Sequence, residues 1–206
     1  DINEMAVEMC KLSLWLVSLD RDKPFSFVDN KVFVGNSLLG ITDLDQLKAQ
    51  HICPKAATNR PFELDYAGRY TKELDVGTIL DEVATRRGEL ATEVDAVDPA
   101  RSTKTKQRLQ HENEESLATL NRVADAVVAV GLDPAIGVEP GKRLKRLNQG
   151  YGDLIAALGR AFPEDGAGDG TLFDAILERG LTPTVRTDYE RWRCLHWPLA
   201  VPEVTG

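Results

Sequence analysis

Between positions 72 and 131 the apolar residues keep a three-and-four spacing, which a helix places on one side. Val76, Ile79, Leu80, Val83, Leu90, Val94 and Val97 share a face interrupted only by Arg87. Asp98-Pro99 ends that run, because proline disfavours helical geometry in the residue before it. From near Thr103 a second stripe follows through Leu109, Asn113, Leu117, Leu120, Val123, Ala124, Val127 and Val130, and Gly131 closes it. Two helices at about 72–97 and 103–130 with so short a link are expected to lie antiparallel as a hairpin. Leu90 and Val94 should then face Leu109 and Leu117. A third stripe runs through Leu144, Leu147, Tyr151, Leu154, Ile155, Leu158 and Phe162. Gly150, Gly152 and Gly159 weaken it by about 1 kcal/mol each relative to Ala, so a bend or a close helix contact is expected at 150–152. A short helix over 172–179 should stop at Gly180. Thr187-x-x-Glu190 reads as a capping box for a last helix reaching about His196 and ended by Pro198.

The first 41 residues have a different character. Asn3 can cap a helix over 4–17, its side chain accepting from a free amide of the first turn. That helix carries Met5, Ala6, Val7, Met9, Cys10, Leu12, Leu14, Trp15, Leu16 and Val17. This is too many for one stripe, so it is expected to be covered on most sides, with Glu4, Glu8 and Lys11 as a narrow wet edge. Lys31-Val32-Phe33-Val34 is a short β-rich run, and Gly35-Asn36-Ser37 turns the chain after it. Thr42 is placed to cap a short helix ending near His51. An acidic residue ahead of a helix, then a strand ending in a small polar turn, suits one half of a doubly wound α/β nucleotide site, where an acid holds ribose hydroxyls beyond the strand ends.

The stretch DINEMAVEMCKLSLWLVSLD, followed by KPFSFVDNKVFVGNSLLGI, resembles the N6-adenine DNA methyltransferases of large single-chain restriction–modification and BREX-type phage-defence systems. The resemblance covers about forty residues. It implies S-adenosylmethionine as cofactor, with Asp1 on the ribose, Ile2 on the adenine face, and Asn36, with Ser37 beside it, at the adenine edge. Asn36 stands where the family more often has Asp. HWPLAVPEV near the end is similar to the family's lead-in to its catalytic strand. The implied fold is a piece of a Rossmann-like class I methyltransferase core at 1–41, a mainly helical insertion at 42–195, and a return segment at 196–206. The family's glycine-rich cofactor loop and its N-P-P-(Y/F/W) motif are not among the 206 residues. The chain is therefore expected to be an internal piece of a larger enzyme, with no catalytic residue of its own and no activity alone. Double-stranded DNA is the implied partner of the intact enzyme, with other defence-system subunits as further candidates. The rival reading is a non-enzymatic helical interaction module in which 72–162 is the working part.

The formal charge of −8 argues against a continuous nucleic-acid-binding surface. Two basic groups remain candidates for local phosphate contacts: Arg101, Lys104, Lys106 and Arg108, and Lys142, Arg143, Lys145 and Arg146. A solvated helix end explains both equally well. His51-x-Cys53 and Cys194-x-His196 together supply four zinc-type ligands, but one intervening residue is tighter than structural zinc pairs usually show. Three widely spaced cysteines do not form a disulfide framework, and no apolar run approaches membrane-spanning length. A cytoplasmic protein is expected. His111 lies among Glu112, Glu114 and Glu115 on a polar face, without a nucleophile–base–orienter set.

Overall fold

The computed structural model describes residues 1–18, 31–56, 76–92, 99–137, 140–163, 167–183 and 191–202. Eight α-helices lie within them: α1 Glu4–Ser18, α2 Leu44–Lys48, α3 Val76–Thr92, α4 Pro99–Leu132, α5 Pro134–Gly137, α6 Arg143–Ala161, α7 Thr171–Leu181 and α8 Trp197–Ala200. Helix α4 is the axis. It has 34 residues and so spans about 50 Å. Helices α2, α3, α6, α7 and α8 all pack against it. Its C-terminal half is deeply buried. Leu120, Val123, Ala124, Ala126, Val127 and Ala129 are fully buried there. They meet Tyr151, Leu154, Ala157 and Leu158 from α6 and Phe173, Ile176, Leu177 and Leu181 from α7 in one cluster.

Two glycines set the helix approaches. A Cβ at Gly150 would sit 3.0 Å from Val130 Cγ1, so α6 comes close to α4 where close contact is expected from its composition. A Cβ at Gly180 would lie 2.1 Å from the Ala129 carbonyl oxygen, so α7 crosses α4 backbone to backbone. Gly180 is thus inside α7 and does not stop it. Helix α4 begins at Pro99, earlier than expected, since proline suits the first turn, where its missing N–H has no helical partner to lose. Arg86 on α3 donates to Ser116 Oγ on α4 at 3.1 Å. The expected partners of Leu109 and Leu117, Leu90 and Val94, have side chains outside the described residues.

The α/β expectation is overturned. Among the described residues there is no strand and no sheet, and the fold is all-helical. The β-rich run at 31–34 does not form a ladder, because a strand needs a partner along its length. Here the pairing amounts to the Asp1 amino group donating to the Phe33 carbonyl at 3.4 Å, the Gly35 N–H donating to the Asp1 carbonyl at 2.8 Å, and one parallel bridge between Asn36 and Cys194. Nor does the last expected helix reach His196. Residues 191–196 are non-helical, and the capping box at 187–190 lies outside the described residues.

Helix α1 also departs from expectation. Asn3 does cap it, its Oδ1 accepting from the Ala6 N–H at 3.2 Å. Yet of its apolar residues only Val7 is buried, at 1% exposure, while Met5, Met9, Leu12, Leu14, Leu16 and Val17 are exposed. The residue read as a wet edge, Lys11, points inward with a side chain 12% exposed and paired to Glu8 at 2.8 Å. Its long aliphatic stem lets it cover apolar surface while its ammonium keeps a partner. At α2 the cap is Asp43 and not Thr42: Asp43 Oδ1 accepts from Asp45 N–H at 2.8 Å, and Gln46 Oε1 accepts from Asp43 N–H at 3.2 Å. No helix among the described residues is long and apolar enough to cross a membrane.

Candidate functional site

Three distant pieces of chain meet at one edge of the molecule: residues 1–3, the turn at 35–41, and the strap at 193–197. Gly35 makes the first junction. Its φ of +148° is a conformation that side chains rarely adopt. A Cβ there would also press on Leu195 Cβ at 3.1 Å. With glycine in place, its N–H reaches the Asp1 carbonyl and the next N–H, of Asn36, donates to the Arg193 carbonyl at 2.6 Å. The Leu195 N–H returns a bond to the Asn36 carbonyl at 3.1 Å. A salt bridge between Arg193 and Glu4 ties the strap to the start of α1.

The structure brings Asp1 and Asn36 to this one edge. Asp1 is exposed, and one of its carboxylate oxygens accepts from the Asn3 N–H at 2.9 Å. Ile2 is half-buried beside it. Asn36 Oδ1 accepts from the Leu38 N–H at 3.0 Å, which shapes the turn and leaves the oxygen one further lone pair. Ser37 is exposed, and its carbonyl accepts from Trp197 Nε1 at 3.4 Å. An exposed carboxylate, a half-buried aliphatic side chain and a carboxamide acceptor suit a nucleoside, whose ribose hydroxyls and base amine are donors and whose ring has apolar faces. Leu38, Leu39 and Gly40 also wall a hollow of about 290 Å³ with Ile52, Leu132, Ile136 and Leu147, to which Arg143 adds a charged group.

A larger cavity, of about 460 Å³, is lined by the 32–34 segment. Phe33, Val83 and Leu117 form apolar wall, and Lys11, Asn113, Asp125 and His196 bring polar groups to it. Asn113 Oδ1 is buried with no hydrogen-bond partner. These residues were not legible as a site. Asn113 is the one signal, a carboxamide set into an otherwise apolar stripe. Cys194 beside them has its thiol pushed up from 9.0 to about 12, first by burial and then by the charge and hydrogen bond of Asp125.

The two histidines of the zinc-type set have other occupations, and Cys53 is exposed. His51 is fully buried against the Tyr151 ring, centroids 4.0 Å apart, and its Nδ1 accepts from the Cys53 N–H at 2.8 Å. His196 bonds to Asp125 at 3.0 Å. Among the described residues no three His, Cys, Asp or Glu side chains gather in a way that could hold a metal ion. The first basic group is not a row of surface cations either, since Lys106 is buried and Arg108 pairs with Glu112 at 3.4 Å. Lys142, Arg143 and Lys145 are exposed at the start of α6, whereas Arg146 donates to the Ala135 carbonyl at 3.0 Å. His111 pairs with Glu115 at 3.3 Å on the outside of α4. No family model, no curated protein and no solved structure matches this chain.

Proposed function

We propose that this chain is the part of an S-adenosylmethionine-dependent adenine DNA methyltransferase, acting in cytoplasmic restriction–modification or phage defence, that holds the cofactor's ribose and adenine. Asp1 accepts from the ribose hydroxyls, Ile2 packs on the adenine face, and Asn36 with Ser37 meets the adenine edge. The observation that supports this most is the Gly35–Asp1 bond, which sets the acid and the polar turn side by side although a whole helix separates them in sequence. The intact enzyme would act on double-stranded DNA with the target adenine turned out of the stack, because its amino group is inaccessible to chemistry within the duplex. None of this chain's residues is assigned a catalytic role.

The test is calorimetric titration of S-adenosylmethionine into the intact protein. Hydrogen bonds to a charged acceptor contribute about 1.5–3 kcal/mol, against about 0.5–1.5 for neutral pairs. Asp1→Ala should therefore weaken binding by roughly ten- to a hundredfold. Asn36→Ala should cost about tenfold or less. Asn36→Asp should bind as well as the native residue or slightly better. The 206-residue chain alone should transfer no labelled methyl group to DNA. Native-like binding by Asp1→Ala removes the basis of this proposal. Absence of S-adenosylmethionine binding by the intact native protein would favour instead the non-enzymatic helical interaction module in which 72–162 is the working part.

A further inference from the structure

We infer that His196, steadied by Asp125, is a positioning residue for the cofactor turn. The inference rests on the cofactor proposal above and adds to it the device that holds Asn36 and Ser37 in place. His196 is only 4% exposed and lies at the meeting of the strap, the turn and α4. Its Nδ1 accepts from the Ile41 N–H at 3.2 Å. A nitrogen that accepts carries no proton, so the ring proton is assigned to Nε2, which donates to Asp125 Oδ1 on α4 at 3.0 Å. One imidazole thus links the end of the turn to the central helix.

The neighbouring contacts leave the turn little freedom to lie elsewhere. Gly40 has the Leu195 carbonyl oxygen 1.7 Å from where a Cβ would stand, so the two backbones touch. The Trp197 N–H donates to the Ile41 carbonyl at 3.2 Å, and the Trp197 indole to the Ser37 carbonyl. Ile41 itself is fully buried. Without an acceptor at position 196 its N–H would be left unmade in the interior, and the turn would shift to satisfy it. His196 does not touch the edge where the cofactor is proposed to sit. It acts through the backbone that carries Asn36.

Two measurements test this. In the 206-residue chain, amide hydrogen exchange should quicken at Asn36, Leu39 and Ile41 in His196→Ala. It should return toward native protection in His196→Asn, whose carboxamide oxygen can take the place of Nδ1. His196→Gln reaches toward Asp125 and should not restore it. In the intact protein, S-adenosylmethionine binding should follow the same order, with His196→Ala weaker by roughly tenfold, His196→Asn close to native, and the KM for DNA unmoved. If His196→Ala unfolds the chain, the Asn and Gln variants carry the same comparison. Unchanged exchange at the turn, or equal behaviour of the Asn and Gln variants, overturns the inference whatever the cofactor result. If exchange follows the expected order but Asp1→Ala and His196→Ala both bind cofactor like the native protein, the cofactor proposal is what fails. If Asp1→Ala weakens binding while His196→Ala does not, the positioning role fails alone.

Discussion

The Cys194 thiol shows how much one residue's chemistry depends on what is folded around it. Half-buried beside Asp125, it is held as the neutral thiol, whereas Cys10 and Cys53 are exposed. Alkylation requires the thiolate. At pH 8, iodoacetamide should therefore label Cys10 and Cys53 well before Cys194, as read by peptide mass spectrometry, and urea should abolish the difference. The same shift has a stability consequence. Below about pH 9 the thiol is protonated in both folded and unfolded chains, and its contribution is fully present. As pH rises from 9.0 toward 12 the unfolded chain releases the proton and the folded one keeps it, so stability falls. Cys194→Ala should lose less stability than the native chain between pH 8 and pH 10.5 (roughly the range over which an ordinary thiol titrates), measured by urea unfolding. None of this is visible in the sequence. Cys194 and Asp125 lie on elements far apart in the chain, and proximity alone creates the effect.

At the scale of elements, the glycines of α3 and α7 illustrate opposite requirements. Gly180 stands where α7 meets the Ala129 carbonyl of α4, and the clashing atom is backbone that cannot swing away. Gly180→Ala should force the helices apart and cost about 2–3 kcal/mol, at the upper end for overpacking. Gly88 lies inside α3 with nothing within 4 Å of its would-be Cβ. Gly88→Ala should raise stability by about 0.5–1 kcal/mol, the ordinary helical gain. Chemical denaturation of the two variants checks both signs. Sequence alone reads Gly180 as a stop. Periodicity marks where helices run, and for α3, α4, α6 and α7 it does so because intrahelical bonds and an apolar stripe are local properties. It carries no information on how near two helix axes come, so Gly180 could not be distinguished from a terminator.

For the whole molecule, α4 with the helices around it forms one contiguous core, and Val7 of α1 stands outside that cluster. Opening α1 thus exposes little buried apolar surface. Native-state hydrogen exchange should give amides at 8–16 on α1 much lower opening free energies than those at 120–130 on α4, which should approach the global value. Equal protection would mean that α1 belongs to the cooperative core. The composition of α1 points the other way, since a helix apolar on nearly every side normally lies within a core. That expectation fails because the amount of cover depends on which surfaces arrive from elsewhere. The sheet fails for a related reason: the 31–34 run has the residues of a strand but meets pairing partners only at its end. The site divides along the same line. The proposed cofactor contacts Asp1, Ile2, Asn36 and Ser37 come from a local motif, whereas the His196–Asp125 link does not, since nothing near either residue in sequence marks it. By itself the sequence determined α3, α4 and α6 and their apolar faces, because those follow from backbone hydrogen bonds and residue spacing within one segment. Only the tertiary structure decided what pairs, what is covered and which polar groups meet, because each of those needs a partner supplied by a distant part of the chain.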